Sequence, residues 1–119
     1  MTGTPAYMAP EMVVARNPVD RRADIYALGC VAYWLLTGTR VFETESAVEQ
    51  VVEHIKTPPT PPSERTDSPI PADLEAIVLR CLEKQPADRF NTATALAQAL
   101  RDVSLAQPWN TGRAEIWWA

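Results

Sequence analysis

The sequence predicts an all-α fold of about five helices around a buried central helix. Ile25–Leu36 is an uninterrupted apolar run, and apolar residues recur at i, i+3, i+4 spacing from Leu74 onward. No stretch shows the apolar–polar alternation that is typical of a strand. The run is shorter than the roughly 20 residues that cross a bilayer, so it is expected to form a core helix. Because it has no polar face, such a helix must be covered on every side.

The N-terminal residues are expected to form a loop followed by one short helix. Gly3, Pro5 and Pro10 interrupt any helical period before residue 11. Pro10 suits the first turn of a short helix over Glu11–Ala15, since that position needs no partner for an N–H. Asn17-Pro18 then ends this helix.

The central helix is expected over residues 21–37, with Gly38 as its C-cap. The next helix begins at Ser46, which forms a capping box with Glu49. Apolar residues line one face of this helix, and His54 on its polar face is expected to be solvated. The apolar positions are Ala47, Val48, Val51, Val52 and Ile55.

Two further helices follow a proline-rich segment. Six of the eleven prolines lie between residues 58 and 71, which predicts an extended surface loop. The fourth helix starts near Pro71 and has apolar residues at 74, 77, 78, 81 and 82. A loop over 85–90 separates it from the fifth helix, which is capped by Asn91 or Thr92. That helix has apolar residues at positions 93, 96, 97, 100 and 103.

The composition argues against several classes of function. A net charge of -4 and a pI of about 4.9 disfavour nucleic-acid binding and docking on anionic lipid. Cys30 and Cys81 lie within apolar runs and are expected to be buried thiols in a reducing compartment. With His54 as the one histidine and no Cys-x-x-Cys pair, no metal site is expected. The N-terminus shows no signal-peptide pattern and no membrane segment is visible, so a cytoplasmic location is expected.

Five short motifs occur in order along the chain. They are Gly-Thr-Pro-Ala-Tyr-Met-Ala-Pro-Glu at 3–11, Asp-Arg-Arg-Ala-Asp at 20–24, Ile-Tyr-Ala-Leu-Gly at 25–29, Leu-Leu-Thr-Gly at 35–38 with Phe42, and Asp-Arg-Phe at 88–90. Ala-Pro-Glu belongs to the protein-kinase signature set. Together the motifs resemble the C-terminal lobe of a eukaryotic-type (Hanks-type) serine/threonine protein kinase, and bacterial members most closely. The resemblance implies a partial kinase domain over residues 1–105, from the end of the activation segment onward, and a C-terminal tail over 106–119.

The resemblance implies a substrate-side role for the first residues. Thr4 would hydrogen-bond the catalytic aspartate of the parent kinase, which this chain does not contain. Gly3, Thr4, Pro5 and Tyr7 would form the surface beneath the acceptor hydroxyl. From the residues alone, Gly-Thr-Pro is also good turn chemistry, and Tyr7 is equally a packing residue.

The same resemblance implies structural roles for Glu11, Arg89, Asp24 and Gly29. Glu11 would pair with Arg89, and Asp24 would hold the backbone of the catalytic loop. Removing one partner of a buried ion pair leaves an uncompensated charge and costs about 3–5 kcal/mol. The alternatives are two solvated charges at 11 and 89, worth about 0–1 kcal/mol, and a carboxylate at 24 that only complements the helix dipole.

The parts of a kinase that bind ATP and transfer phosphate do not occur in the sequence. It has no glycine-rich loop, no His-Arg-Asp and no Asp-Phe-Gly motif, and Lys56 and Lys84 come too late to serve as the nucleotide lysine. The chain is therefore expected to be a truncated kinase lobe that is inactive alone and has no catalytic, cofactor-binding or metal-binding residue of its own. The resemblance implies ATP and magnesium for the parent, with protein substrates and a missing N-terminal kinase portion as partners.

Two departures from the kinase pattern and two alternatives remain. Trp34 stands where many kinases have glutamate, which puts a preference for basic substrates in doubt, and Val41 replaces a proline. The chain could instead be a non-catalytic helical module that docks a kinase or its substrates through the surface after Ser46. Such a module is expected to be monodisperse, whereas truncation would leave Ile25–Leu36 partly uncovered and prone to aggregation. An unrelated all-α domain with chance motifs is the third interpretation.

Overall fold

The computed structural model describes residues 7–13 and 19–103, and within those ranges it contains four α-helices and no strand. The all-α fold class is therefore confirmed. The helices are α1 Arg22–Thr37, α2 Ala47–Lys56, α3 Ala72–Cys81 and α4 Ala93–Arg101. Three short 3-10 turns, each beginning at a proline, lie at Pro10–Met12, Pro62–Glu64 and Pro86–Asp88.

Two predicted segments fall wholly or partly outside the described residues. Of the short helix predicted over Glu11–Ala15, the structure shows the 3-10 turn Pro10–Met12, and residues 14–18 lie outside the described ranges. The tail predicted over 106–119, with its three tryptophans, also lies outside them.

Local capping explains where the helices begin and end. The Ser46 hydroxyl accepts a hydrogen bond from the Glu49 amide at 3.3 Å, and the Thr92 hydroxyl accepts one from the Ala95 amide at 3.0 Å. These bonds satisfy amides that have no partner within the helix. α1 ends at Gly38, whose φ of 74° is a left-handed conformation that glycine adopts at low cost.

The core forms where α1 crosses α3. A Cβ atom at Gly29 would lie 2.7 Å from Cys81 Cβ and 3.1 Å from Leu82 Cδ2, so glycine is needed for the two helices to approach this closely. The main buried cluster joins α1 and α3 to the segment before α1 and to the loop after it. Its members are Ala9, Ala23, Tyr26, Cys30, Tyr33, Val41, Phe42, Val78 and Leu82.

The outer face of α1 is partly uncovered, as the truncation hypothesis predicts for Ile25–Leu36, and not covered on every side as the apolar pattern alone predicts. Leu28, Val31 and Leu35 are 50%, 41% and 70% exposed, and Trp34 is 49% exposed. With α3 and α4 this face borders an apolar groove of about 360 Å³. Helical periodicity showed that α1 has no polar face, but in the described part of the chain only its inner face is covered. No helix among the described residues is long and apolar enough to cross a membrane.

α2 corrects a second expectation, because it buries two of its polar residues and exposes two of its three valines. Gln50 and His54 are 3% and 1% exposed, whereas Val48 and Val52 are 72% and 42% exposed. The prediction that His54 is solvated is therefore wrong. Its Nδ1 lies 2.6 Å from the Tyr26 hydroxyl oxygen, and this hydrogen bond ties α2 to α1.

The proline-rich loop is fixed to the core by the Thr60 carbonyl and by the Arg65 side chain. The Tyr33 hydroxyl donates to the Thr60 carbonyl at 2.6 Å. Arg65 Nη1 donates to the Arg40 and Val41 carbonyls at 2.9 and 3.0 Å, and its guanidinium lies 5.6 Å from the centre of the Tyr33 ring. The loop is irregular as predicted, but these contacts connect it to both α1 and the segment before α2.

Candidate functional site

The candidate site begins with a short segment that leads into the core. Met8 and Ala9 are 2% and 0% exposed, and Pro10 opens the 3-10 turn Pro10–Met12. Proline suits the first position of such a turn because its missing N–H would have no partner there. The turn holds Glu11 at the surface of the core, with the residue 9% exposed.

Arg89, which lies late in the described part of the chain, forms an ion pair with Glu11. Arg89 Nη1 lies 2.7 Å from Glu11 Oε2, and Nη2 lies 2.8 Å from Oε1. This is the bidentate geometry in which the planar guanidinium fits a carboxylate best. The structure thus brings together two residues that are 78 positions apart in the sequence.

Every N–H of the Arg89 guanidinium has an acceptor. Nε donates to the Glu83 carbonyl at 2.8 Å, Nη1 also donates to the Arg22 carbonyl at 3.0 Å, and Nη2 to the Lys84 carbonyl at 3.2 Å. With the two bonds to Glu11, these account for all five donors of an arginine. The side chain therefore joins the segment before α1, the first turn of α1 and the turn after α3.

The ion pair lies against an aromatic ring. The Arg89 guanidinium lies 4.9 Å from the centre of the Tyr26 ring, and Tyr26 is 0% exposed. Burial raises the pKa of the Tyr26 hydroxyl well above its ordinary value, so this residue stays neutral. In such a desolvated setting each charge depends on the other, because neither can be compensated by water.

Two further residues with predicted structural roles lie on α1. Asp24 is exposed in the first turn of α1, and none of the residues in 7–13 and 19–103 donates a hydrogen bond to its carboxylate. The Asp24 carboxylate is therefore accessible to a segment outside the described residues. It also complements the positive end of the dipole of α1. Gly29 lies at a close contact between α1 and α3, where the absence of a side chain leaves room for Cys81.

The predicted substrate-side residues are only partly described. Tyr7 is 38% exposed at the start of the described segment. Gly3, Thr4 and Pro5 lie outside the described residues.

The two cysteines are packing residues rather than nucleophiles. Cys30 and Cys81 are 1% and 2% exposed and carry free thiols. Burial raises the pKa of the Cys30 thiol to about 12 and that of Cys81 to about 11. A thiol with so high a pKa is protonated at neutral pH and is a poor nucleophile.

The described residues include no group of three or more histidine, cysteine, aspartate or glutamate side chains that could hold a metal ion. A magnesium site needs several oxygen ligands around one position.

Sequence reasoning missed three residues that organise this region. His54 was wrongly predicted to be solvated, because a histidine on the polar side of an amphipathic helix normally faces water. Lys84 Nζ lies 4.9 Å from the centre of the Phe42 ring and 3.4 Å from the Glu53 carbonyl oxygen. Arg65 fixes the proline-rich loop. Periodicity carries no signal for such contacts, since each depends on how distant elements meet.

The model of the protein kinase domain family matches residues 1–100. The chain therefore belongs to the protein kinase domain family, and its helices are those of the C-terminal lobe. The resemblance found in the motifs is thereby confirmed.

The chain is also similar to several bacterial serine/threonine kinases. It is 47% identical to serine/threonine-protein kinase Pkn1 of Myxococcus xanthus over 107 residues, which are 90% of this chain and 15% of that kinase. It is 41% identical to serine/threonine-protein kinase PknB of Mycobacterium leprae over 106 residues, 89% of this chain and 17% of that kinase. It is 40% identical to probable serine/threonine-protein kinase CE0033 of Corynebacterium efficiens over 117 residues, 96% of this chain and 18% of that kinase. The chain thus spans 15–18% of the length of these curated relatives.

Proposed function

We propose that this chain supplies the substrate-side platform of a serine/threonine protein kinase and does not transfer phosphate on its own. The observation that carries this proposal is the bidentate Glu11–Arg89 ion pair. It fixes the end of the activation segment to the helical body, and phosphoryl transfer depends on such positioning. The whole kinase would transfer the γ-phosphate of ATP, with magnesium, to serine or threonine of a protein.

In this proposal the residues before the ion pair contact the substrate. Gly3, Thr4, Pro5 and Tyr7 form the surface that receives the acceptor residue, and Thr4 supports a catalytic aspartate supplied by another segment. The exposed Asp24 carboxylate holds the backbone of the loop that carries this aspartate. ATP and magnesium bind to that other segment, and the assembled kinase domain works in the cytoplasm.

The groove beside α1 supports the requirement for a second segment. The exposed side chains of α1 form an apolar face made of Leu28, Val31 and Leu35. Soluble proteins normally cover an apolar patch of this kind. An N-terminal kinase portion that packs on this face would cover it and would bring the catalytic loop towards Asp24.

A phosphoryl-transfer assay on the purified chain tests the proposal. With labelled ATP, magnesium and a general protein substrate, we expect no transfer above background, because the chain has no His-Arg-Asp or Asp-Phe-Gly motif. Full-length Pkn1 serves as the positive control under the same conditions. Turnover by the chain alone, lost on removal of magnesium, would show that the proposal is wrong.

The second candidate is a non-catalytic module that docks a kinase or its substrates. The exposed stripe on α2 favours it, since Val48 and Val52 face solvent and are flanked by Glu45 and Glu49. A module of this kind is monodisperse in size-exclusion chromatography and unfolds cooperatively on heating. A chain that lacks its covering segment associates through the α1 face instead, so the two measurements separate the candidates.

A further inference from the structure

His54 on α2 is the one histidine of the chain, and it lies inside the fold. It is 1% exposed, and its Nδ1 lies 2.6 Å from the hydroxyl oxygen of Tyr26 on α1. The Phe42 ring packs edge-on against the imidazole, with 4.9 Å between the ring centres. The imidazole is therefore part of the contact by which α2 docks on α1 and on the loop after α1.

The direction of the hydrogen bond between Tyr26 and His54 follows from the burial of Tyr26. Tyr26 is 0% exposed, and burial raises the pKa of its hydroxyl well above the ordinary value, so the hydroxyl keeps its hydrogen. Among residues 7–13 and 19–103, the acceptor for this hydrogen is His54 Nδ1, and the hydroxyl makes no other hydrogen bond there. Nδ1 must therefore carry a lone pair, which the neutral imidazole has and the imidazolium does not.

On the α1 side of His54, the charged groups are already paired. The Arg89 guanidinium lies 4.9 Å from the centre of the Tyr26 ring, and it donates two hydrogen bonds to the Glu11 carboxylate. This carboxylate is committed to Arg89, so it does not compensate a further charge on the imidazole.

The Phe42 ring that packs against His54 also contacts a second cation. Lys84 Nζ lies 4.9 Å from the centre of this ring and donates to the Glu53 carbonyl at 3.4 Å. The Glu53 carboxylate favours the ammonium form of Lys84. A protonated His54 would add a positive charge to a region that already contains Arg89 and Lys84, and burial would remove the water that stabilises an exposed imidazolium.

We infer that protonation of His54 releases α2 from α1, so that the docking of this helix is sensitive to acid. The imidazolium cannot accept the hydrogen bond of Tyr26, whose hydroxyl would stay buried without an acceptor. Both costs disappear when α2 moves away and its histidine is solvated. An exposed histidine takes up a proton at about pH 6.5, so the released helix is favoured as the pH falls below that value. Well above about pH 6.5 the imidazole is neutral in both states, and the docked helix gains nothing further.

The release of α2 also affects the proposed substrate platform. α2 contacts the 3-10 turn Pro10–Met12, which holds Glu11. Release of the helix removes one support of this turn, so acid would weaken the presentation of substrate. This consequence rests on the proposed function, whereas the release of α2 itself does not.

The experiment measures amide hydrogen exchange in the full chain at pH 5.5 and pH 7.5, with each rate corrected for intrinsic exchange at that pH. Uptake of one proton favours the released helix about tenfold more at the lower pH. We expect about a tenfold loss of protection in residues 47–56 and no comparable loss in α4. Equal protection of α2 at both pH values, or a loss of the same size in α4, would overturn the inference.

The His54→Gln chain is the matched control, because a glutamine oxygen accepts the hydrogen bond of Tyr26 but does not titrate. It keeps Lys84, whose pKa burial lowers to about 8, so any pH dependence that remains in this chain comes from groups other than His54. We expect the protection of α2 in His54→Gln to differ by less than about twofold between the two pH values. A tenfold loss in both chains would contradict the assignment to His54.

A proton NMR titration keeps the inference testable even where His54→Gln fails to fold. The one histidine of the chain gives a single imidazole Cε1–H resonance, which reports its protonation directly. We expect this resonance to stay at its neutral position in the docked helix at about pH 6.5, where an exposed histidine is half protonated. A titration midpoint at about pH 6.5 with unchanged protection of α2 would show that the fold accepts the imidazolium, and the inference would be wrong.

Discussion

The inner and outer faces of α1 follow opposite rules. At the inner face, polar groups are buried and paired: the Arg89 guanidinium has an acceptor for every N–H, and Tyr26 is bonded to His54. At the outer face, apolar side chains such as Leu35 are exposed to solvent. The difference teaches that, within residues 7–13 and 19–103, the buried Glu11 and Arg89 are paired with each other, whereas the apolar outer face of α1 has no such partner among these residues.

Removing the Glu11–Arg89 ion pair at the inner face of α1 has the largest expected effect on the free energy of unfolding. Arg89→Met removes the partner of Glu11, which is 9% exposed, and leaves three backbone carbonyls without their donor. We expect a loss of about 3–5 kcal/mol in the free energy of unfolding, measured by urea denaturation. Arg101→Met is the matched control, since Arg101 is exposed and donates to Gln98 on the same helix, and we expect a change below about 0.5 kcal/mol.

A double variant separates the lost ion pair from the unpaired charge. Glu11→Leu in the Arg89→Met background removes the uncompensated carboxylate, so part of the stability is expected to return. If Arg89→Met alone costs less than about 1 kcal/mol, the pair behaves as a solvated surface pair and the comparison between the two faces fails.

Sequence periodicity predicted the helices well because apolar spacing is a local property. It located α1, α3 and α4, and the capping residues Ser46 and Thr92 are where their hydrogen-bonding chemistry predicts. The partnership of Glu11 with Arg89 is different. It came from the resemblance to kinases, because nothing in the residues themselves relates two charges at such separation.

The orientation of α2 could not be predicted from its pattern. Periodicity identifies an apolar side of the helix but does not tell whether that side faces this core or another surface. Here the Tyr26 hydroxyl hydrogen-bonds His54 and the Phe42 ring packs against it, so the side of α2 that carries Gln50 and His54 packs inward. Periodicity alone could not predict the open face of α1 either. The prediction that this helix is partly uncovered came from the kinase motifs that the sequence does not contain.

Gly29→Ala tests the close packing of the inner face, with an intermediate expected effect. In an exposed helix interior, replacing glycine by alanine stabilises a protein by up to about 1 kcal/mol. Here the new Cβ would lie 2.7 Å from Cys81 Cβ, so α1 and α3 must separate. We expect a loss of about 1–3 kcal/mol instead, and urea denaturation gives the sign directly.

Gly38→Ala is the companion variant, because it changes the backbone without any crowding. A Cβ at Gly38 would have no atom within 4 Å, but its φ of 74° is unfavourable for alanine. We expect a loss of about 1 kcal/mol from this strain alone. Stabilisation by Gly29→Ala would mean that the two helices are not held as closely as the core requires.

The smallest effect is expected at the outer face, where the same substitution can be compared on both sides of the fold. Leu82 is 1% exposed in the core and Leu35 is 70% exposed on α1. We expect Leu82→Ala to lower the free energy of unfolding by about 2–5 kcal/mol and Leu35→Ala to lower it by less than about 0.5 kcal/mol. Leu35→Ala is also expected to reduce self-association in size-exclusion chromatography, because it shrinks the exposed apolar face. If Leu35→Ala instead costs as much as Leu82→Ala in dilute solution, the outer face is already covered there, and the inferred need for a further kinase segment loses its support.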